Sequence, residues 1–287
     1  MSVLKLTKDV SVSDSTLVLA FTGWMDGGNV STGTVERLVE MYNATESARI
    51  DPEPFYLYNF PGSMELSSLF RPHIDIVEGI IESVQMPENR FYCHAEGGLV
   101  FFVGKEPNLR WKEFGDAILE YVSQLAIDRI IFVGSFGGTV PHTREPRLYA
   151  TSYDEELLYA LEQLGIKKTN YSGPGSFTSY LMTRANCLAI EMFSIIAEIP
   201  SYLHGRNPVC IEAVTRRLAK LLKLPMDVER LRSKSTNWEL DISKMVENDP
   251  ELSEKVRELE NAYDNELIGL DSDTLDRRAD ESDEFTF

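Results

Sequence analysis

Short apolar runs that end in glycines alternate along this chain with segments of helical periodicity. The clearest run, Arg129–Val133, is followed by the glycine cluster Gly134–Gly138 and then by Pro-His-Thr-Arg at Pro141–Arg144. A run of this length and composition predicts a buried strand, and the glycines predict a loop at its carboxyl end. Because open α/β sheets bind ligands and partners at the carboxyl ends of their strands, we expect a functional site in this loop.

The same patterns predict the other elements. The predicted strands are Thr16–Thr22, Phe55–Asn59, Phe91–His94, Leu99–Val103, Lys168–Tyr171 and Cys187–Phe193. The predicted helices are Val30–Asn43, Trp111–Leu125, Asp154–Leu164, Phe177–Asn186, Val209–Leu222, Asp227–Thr236, Trp238–Glu247 and Glu251–Ile268. The spacing of Trp111, Phe114 and Ile118 predicts that they share the buried face of one helix. Strands that alternate with helices predict an α/β fold with a mostly parallel sheet covered on both faces.

The order of elements divides the chain into three parts. Residues 1–205 are expected to form one α/β/α domain, and residues 206–269 a helical region packed on it. The tail, residues 270–287, holds seven acidic and two basic residues. We expect this acidic tail to be disordered, because it has little apolar surface to offset the entropy of ordering.

Charge and composition narrow the classes of function. The chain has 46 acidic and 28 basic residues, a net charge of −18, which argues against non-specific nucleic-acid binding. A small anionic ligand held by one local arginine stays compatible with that charge. No apolar run approaches the roughly 20 residues of a membrane helix, and no signal peptide is recognised. The three cysteines lie far apart and fit reduced thiols, so we expect a cytoplasmic protein.

Three glycine-rich loops are candidates for binding phosphate or carboxylate through backbone N–H groups: Gly23–Gly28, Gly134–Gly138 and Ser172–Ser176. The structural alternative, which we favour for any one loop, is a tight strand–helix turn. None matches the phosphate-loop or dinucleotide pattern, so no nucleotide cofactor is predicted. The four histidines show no metal-ligand spacing, so no metal site is predicted.

Individual polar residues allow both functional and structural interpretations. Asp26 is either a general acid or base, or the cap of the helix that begins near Val30. The large ring of Trp24 covers either the core or the surface of a partner. His142 and Arg144 suit acid–base work and anion binding, but also ordinary hydrogen bonds and a salt bridge.

A hydrolase triad of Ser176, His142 and Asp26 is conceivable, because triads are defined by geometry and not by sequence order. However, Ser176 does not lie in the Gly-x-Ser-x-Gly nucleophile elbow. The catalytic candidates therefore remain hypotheses.

The loops Gly23–Gly28, Gly104–Trp111 and Val140–Pro146 each open near the end of a predicted strand. We expect them to lie together at one edge of the sheet, where Asp26 and Glu106 would meet Arg110, Arg144 or His142. The candidate binding residues of this cluster are Trp24, Asp26, Glu106, Arg110, Trp111, His142, Thr143 and Arg144.

Together these motifs resemble the proteasome-assembly-chaperone-like family in its bacterial and archaeal form. The resemblance spans about Leu17 to Glu247, and Gly23–Gly28 (Gly-Trp-Met-Asp-Gly-Gly) departs from the family pattern Gly-Trp-x-Asp-Ala-Gly only at Gly27. The other motifs are Gly104–Trp111, Val140–Pro146, Glu198–Leu203 and Leu221–Asp227. The resemblance implies a three-layer α/β/α sandwich similar to purine nucleoside phosphorylases and related hydrolases.

The resemblance also implies a non-enzymatic assembly factor or protein-interaction module with a protein partner, and a homo-oligomer. The alternative is a phosphorylase- or hydrolase-like enzyme for a small anionic or nucleoside-like ligand. In that enzyme Arg144 or Arg110 would hold the anion, and His142 would act as acid or base.

Overall fold

The computed structural model describes residues 3–225 and 228–283, with side chains described up to Glu266 except at residues 228–231, 233 and 234. The strands are β1 (Leu4–Leu6), β2 (Thr16–Thr22), β3 (Thr45–Ile50), β4 (His73–Val77), β5 (Ile80–Gln85), β6 (Arg90–His94), β7 (Leu99–Lys105), β8 (Arg129–Gly138), β9 (Arg147–Ser152), β10 (Ile166–Lys168) and β11 (Glu191–Pro200). The helices are α1 (Val30–Met41), α2 (Met64–Ser68), α3 (Trp111–Gln124), α4 (Glu155–Gln163), α5 (Phe177–Cys187), α6 (Pro208–Leu221), α7 (Val228–Glu247) and α8 (Pro250–Asp283).

Nine of these strands form one sheet, in the order β1-β3-β6-β7-β2-β8-β11-β9-β10. The central strands β7, β2, β8 and β11 run parallel to one another. Antiparallel pairs extend the sheet toward β1, and β11–β9 is antiparallel as well. The predicted α/β/α sandwich is confirmed, with a sheet that is parallel at its centre and mixed overall.

Each face of the sheet carries its own apolar core. Leu17, Leu19 and Phe21 of β2 point to the face that α3 and α5 cover, where Phe114 and Phe177 pack with ring centroids 5.3 Å apart. The alternate β2 residues contribute to the other core with residues of α1 and α6. This alternation follows from the two-residue period of a strand and explains why β2 is apolar on both faces.

Helices α4, α5 and α6 each begin where the sequence supplies a capping side chain. The side chains of Asp154, Ser176 and Asn207 each accept a hydrogen bond from the backbone N–H three residues further on. Such caps satisfy one of the backbone donors that a helix start leaves without an intrahelical partner.

Several predicted strands are wrong or shifted. Phe55–Asn59 is irregular, and the Phe55 ring is buried because it packs edge-on against Phe114, with ring centroids 4.9 Å apart. The predicted strand Lys168–Tyr171 lies earlier, as β10. The predicted strand Cys187–Phe193 begins inside α5 and continues past its predicted end, as β11.

The glycine cluster Gly134–Gly138 belongs to β8 and is not a loop. A Cβ at Gly134 would lie 2.7 Å from Ile196, and one at Gly138 would lie 2.3 Å from the Glu198 carboxylate. These glycines therefore serve close packing between β8 and β11, which pair without interruption along their length.

The sequence patterns also did not predict the segment between β3 and β6, which lies outside the nine-stranded sheet. Strands β4 and β5 form a separate two-stranded hairpin. Its turn residues Glu78 and Gly79 both have positive φ, at 50° and 83°. On one face of this hairpin the cross-strand pairs Ile74–Val84 and Ile76–Ile81 are all exposed.

The C-terminal part is helical, as predicted, although α7 replaces two separate predicted helices. The domain boundaries after residues 205 and 269 stay predictions. The disorder predicted for residues 270–287 also stays a prediction, because their side chains and the whole of residues 284–287 lie outside what the structure describes. Among the described residues, no helix combines the length and apolarity that a bilayer span requires.

Candidate functional site

The three motif loops open at the same edge of the sheet, as predicted. Strands β7, β2 and β8 are adjacent and parallel, so Gly23–Gly28, Gly104–Trp111 and Val140–Pro146 all follow their carboxyl ends. The side chains of these loops nevertheless belong to separate networks of contacts.

Asp26 holds the start of α1. Its Oδ1 accepts a hydrogen bond from the Thr32 backbone N–H at 3.1 Å, and its Oδ2 accepts one from the Thr32 hydroxyl at 2.8 Å. Burial raises the pKa of this half-buried carboxyl to about 6. These contacts support the structural alternative for Asp26, since they hold the first turn of α1, whose N-cap position itself is Asn29.

The Gly23–Gly28 loop is also fixed to β8. The Ser135 backbone N–H donates to the Met25 carbonyl, and the Ser135 hydroxyl donates to the Gly27 carbonyl, both at 2.8 Å. These contacts hold the backbone of the loop and do not involve the side chain of Trp24.

Trp24 projects from that loop and is 65% exposed. The expectation that it covers the core is therefore wrong, and the partner-surface interpretation remains. Its backbone N–H donates to Oε2 of Glu106 at 3.3 Å, while Oε1 of Glu106 accepts from the backbone N–H of Phe177 at 2.7 Å. Glu106 thus joins the Trp24 loop to the first turn of α5.

Ser176 is the cap of α5, and its hydroxyl accepts from the Ser179 backbone N–H at 3.2 Å. The hydrogen bonds of Ser176, His142 and Asp26 run to other residues, and none of them joins two members of this set. The hypothetical triad is therefore not assembled in this structure.

Arg110 and Trp111 begin α3. Arg110 pairs with Glu113 one turn along the helix, and its guanidinium lies 6.0 Å from the centroid of the Phe55 ring. The half-buried Trp111 donates its indole N–H to the Pro107 carbonyl at 2.7 Å. The expected meeting of Arg110 with Asp26 or Glu106 is wrong, because a carboxylate within its own helix neutralises it.

His142 is buried, with 4% of its surface exposed. Its backbone N–H donates to the Tyr202 hydroxyl at 2.8 Å, that hydroxyl lies 2.7 Å from Nδ1, and Nε2 lies 3.3 Å from the Ser243 hydroxyl. Burial lowers the pKa of the imidazole, which favours its neutral form. When the Tyr202 hydroxyl donates its proton to Nδ1, the neutral imidazole carries its own proton on Nε2 and donates it to the Ser243 hydroxyl. The tautomer of His142 is assigned here from this hydrogen-bond network.

Thr143 and Arg144 contact the last helix. Arg144 binds both carboxylate oxygens of Asp264, with Nε–Oδ1 and Nη2–Oδ2 distances of 2.9 and 2.7 Å. The Thr143 hydroxyl donates to Glu260 on the same face of α8. Neither His142 nor Arg144 meets Asp26 or Glu106, so the predicted shared charge cluster is wrong in its pairings.

Sequence reasoning missed the residues that complete this second network. Glu198 is 5% exposed and accepts hydrogen bonds from the Thr139 backbone N–H at 2.7 Å and from the Tyr149 hydroxyl at 3.0 Å. Arg147 lies 3.4 Å from Glu198 and 2.6 Å from Glu266. The motif Glu198–Leu203 was the available signal for Glu198, and also for Tyr202.

No group of three or more histidine, cysteine or acidic side chains could hold a metal ion in the part of the chain that the structure describes.

Comparisons with known proteins agree with this architecture. The sequence model of the PAC2 family matches residues 20–246. A comparison with curated proteins gave no match.

Solved structures give several similar folds. A Mycobacterium tuberculosis proteasome-assembly chaperone homologue, Rv2125, is 28% identical with a TM-score of 0.71, and the alignment covers 84% of this chain and 99% of that one. Rv2714, a protein of unknown function from the same organism, is 21% identical with a TM-score of 0.83, covering 96% of this chain and 92% of that one. PbaB, a proteasome activator from Pyrococcus furiosus, is 16% identical with a TM-score of 0.62, covering 84% and 97%. The similarity to Rv2714 and to PbaB shows only that the fold is shared.

Proposed function

Because this chain belongs to the PAC2 family, we propose that it is a proteasome-assembly-chaperone-like protein that acts by binding other proteins and not by catalysing a reaction. Its 28% identical relative is a proteasome-assembly chaperone homologue, which points to proteasome subunits as the class of partner. The cytoplasm is the compartment we propose, since Cys93, Cys187 and Cys210 are all free thiols.

The observation that carries this proposal is the exposure of Trp24. Tryptophan is among the residues that most often dominate the energy of protein interfaces, and it does so when a partner buries it. Here its ring is presented by a loop that Glu106 and Ser135 hold from two sides. A pre-organised anchor of this kind binds without the cost of ordering its own loop.

Two further apolar side chains are exposed at the carboxyl edge of the sheet. Leu109 follows β7 and is 42% exposed, and Phe136 near the end of β8 is 38% exposed. Together with Trp24 they provide apolar contacts from all three neighbouring strand ends, as an interface with another protein requires.

The polar candidates support binding over catalysis. His142, which the enzyme alternative needs as its acid or base, is enclosed by Tyr202 and by Ser243 of α7. Arg144, which would hold the anion in that alternative, is neutralised by Asp264.

We further propose that the protein forms a homo-oligomer through the β4–β5 hairpin. An isolated two-stranded hairpin is marginally stable in water, and this one exposes Ile74, Ile76, Ile81 and Val84 on one face. Burial of that face against a second copy would remove the apolar surface from water.

Replacing Trp24 tests the proposed partner surface. Purified proteasome subunits of the source organism are titrated against the wild type and Trp24→Ala in biolayer interferometry. We expect the substitution to weaken binding by about 2 kcal/mol or more, because a buried tryptophan anchor is lost. Thermal unfolding should stay unchanged, since the ring is exposed.

Tyr159→Ala is the matched control, because Tyr159 of α4 is also an aromatic with 62% exposure. It should bind as the wild type does. Equal affinities of wild type and Trp24→Ala would contradict the proposed surface. No binding of any proteasome subunit by the wild type would contradict the proposed partner.

A further inference from the structure

A cleft of about 330 Å³ opens beside the motif loops, between the sheet and the base of the β4–β5 hairpin. Its wall on the sheet side is Thr22, at the end of β2, and Val103–Lys105, at the end of β7. These are adjacent parallel strands, and the cleft therefore lies outside their carboxyl ends, where α/β sheets bind ligands. Its volume is at the lower end of the range for small-molecule sites.

The charge of this cleft is opposite to that of the chain. Three basic residues, Arg71, His73 and Lys105, line it, against one acidic residue, Glu88. Glu88 is already bound by Arg90. In a protein of net charge −18, this cleft is a local region of positive charge.

Two of the three basic residues lack an acidic partner in the described part of the chain. Among the described side chains, no carboxylate forms a salt bridge with Lys105 or Arg71, whereas His73 lies 3.1 Å from Asp75. The Lys105 ammonium lies 5.7 Å from the centroid of the Tyr56 ring, and the Arg71 guanidinium donates to the neutral Asn59 amide oxygen at 3.2 Å.

Lys105 is also partly removed from water, and burial lowers its pKa. Keeping a charged ammonium in such a place is unfavourable unless an anion accompanies it. A bound anion would therefore be attracted by the Lys105 ammonium. It would also offset the unfavourable free energy of keeping that ammonium partly out of water.

The remaining wall is apolar and aromatic. Tyr58 and Phe70 line the cleft, and the Phe70 ring stacks on Phe60 with centroids 5.0 Å apart and an interplanar angle of 17°. Pro72, Met86 and Val103 add aliphatic surface. An inorganic anion alone would leave this wall without a contact.

We propose that the cleft binds a small organic anion, with its phosphate or carboxylate at Lys105 and Arg71 and its apolar body against Tyr58 and Phe70. Lysine provides a point charge and arginine a planar fork, and both suit these two groups. The site goes beyond proteasome binding and does not depend on it. The arginines that the sequence suggested for an anion, Arg110 and Arg144, are paired with carboxylates.

Isothermal titration calorimetry of the full chain tests the site with three probes: adenosine monophosphate, benzoate and inorganic phosphate. We expect at least one organic probe to bind the wild type with a Kd below about 1 mM, and inorganic phosphate to bind more weakly. Binding of adenosine monophosphate alone identifies a phosphate site, and binding of benzoate alone identifies a carboxylate site.

Lys105→Met and Arg71→Met keep much of the side-chain length and remove the charge. Each should weaken binding at least about tenfold, because a charge-assisted contact is lost. Lys244→Met is the matched control, since Lys244 is an exposed lysine of α7, and it should bind as the wild type does. Thermal unfolding verifies that each variant folds. Absence of binding by every probe, or equal affinities of the wild type and both cleft variants, would overturn the proposal.

Discussion

At the scale of single residues, the polar side chains of the motif loops mainly hold backbone groups in place. Asp26 holds the first turn of α1, Glu106 joins the Trp24 loop to α5, and His142 is enclosed between Tyr202 and Ser243. Trp24, by contrast, is exposed on the same loop as Asp26. The polar residues therefore fix the conformations of the loops, and the aromatic residue Trp24 is available to contact a partner.

Asp26 gives the stability of the protein a pH dependence of its own. Its pKa is about 6 in the folded chain against an ordinary value of 3.8, so the folded state binds more protons between these values. The stabilising contribution of Asp26 to the free energy of unfolding is therefore greatest below about pH 4, and it is lost as the pH rises through 6. Between these limits the wild type should lose about 1–3 kcal/mol more of its free energy of unfolding than Asp26→Asn does. Urea unfolding at both pH values measures the difference.

Asp51→Asn is the control for this measurement. The hydrogen bond from Lys5 lowers the pKa of Asp51, so its contribution is present above the ordinary pKa and is lost as the pH falls. Its variant should differ from the wild type with the opposite sign. Parallel pH profiles of Asp26→Asn and the wild type would contradict the role of burial at Asp26.

The sequence could predict the residue-scale roles only where the partner is near in the chain. The cap by Asp26 was one of two alternatives, and Thr32 is six residues away. The partners of His142 and Arg144, Ser243 and Asp264, are 101 and 120 residues away on helices of the last region. Spacing along one segment carries no information about such contacts.

At the scale of elements, α3 supplies the centre of one core. Phe114 and Ile118 are fully buried and Trp111 is half-buried, so the predicted stripe is confirmed. We expect Phe114→Ala to lower the free energy of unfolding by about 3–5 kcal/mol, because it removes a ring in contact with Phe55 and Phe177. Urea unfolding measures this loss.

The control lies on the exposed face of the same helix. Lys112→Ala should change the free energy of unfolding by no more than about 0.5 kcal/mol. A loss below about 1 kcal/mol for Phe114→Ala would mean that the core of α3 is not packed as described.

Helix α8 makes polar contacts with residues Thr143–Arg147. Removing the Arg144–Asp264 contact by Arg144→Ala should modestly weaken the attachment of α8, since the pair is partly exposed. Hydrogen exchange of amides in residues 250–266 should then be about fivefold faster, with core amides unchanged.

Arg257→Ala is the control for this experiment, because Arg257 pairs with Glu254 within α8 itself. It should leave exchange in α8 close to that of the wild type. Equal exchange in Arg144→Ala and the wild type would mean that other contacts hold the helix.

Elements with a clear period were predictable, and those that depend on neighbours were not. The strand Thr16–Thr22 matches β2 at both ends. By contrast, the aromatic run at Phe55 is buried by packing against α3 and not by strand pairing. The polar strand β3 (Thr-Glu-Ser-Ala-Arg-Ile) is fixed by its neighbours in the sheet, which its sequence does not reveal.

At the scale of the whole molecule, the alternation of strands and helices was sufficient to predict the three layers. It could not predict the β4–β5 hairpin, because its apolar residues are exposed, and apolar residues are normally taken as evidence of burial. That exposure is instead the basis for the proposed oligomer.

The double substitution Ile76→Asp and Ile81→Asp tests that oligomer. It puts two charges on one cross-strand pair of the apolar face, so association should be lost because burial of the charges is costly. Sedimentation velocity should show a shift from oligomer to monomer. The variant Leu188→Asp, at another apolar residue with 57% exposure, should sediment as the wild type does. A monomeric wild type, or an oligomeric double variant, would contradict the proposal.

The contact between Arg144 and Asp264 also has a consequence during synthesis of the chain on the ribosome. The two residues are 120 positions apart, and a ribosome adds about 5–20 residues each second. Arg144 is therefore synthesised about 6–24 s before its partner. During that interval the nascent chain carries Arg144 without the helix that supplies its acidic partner.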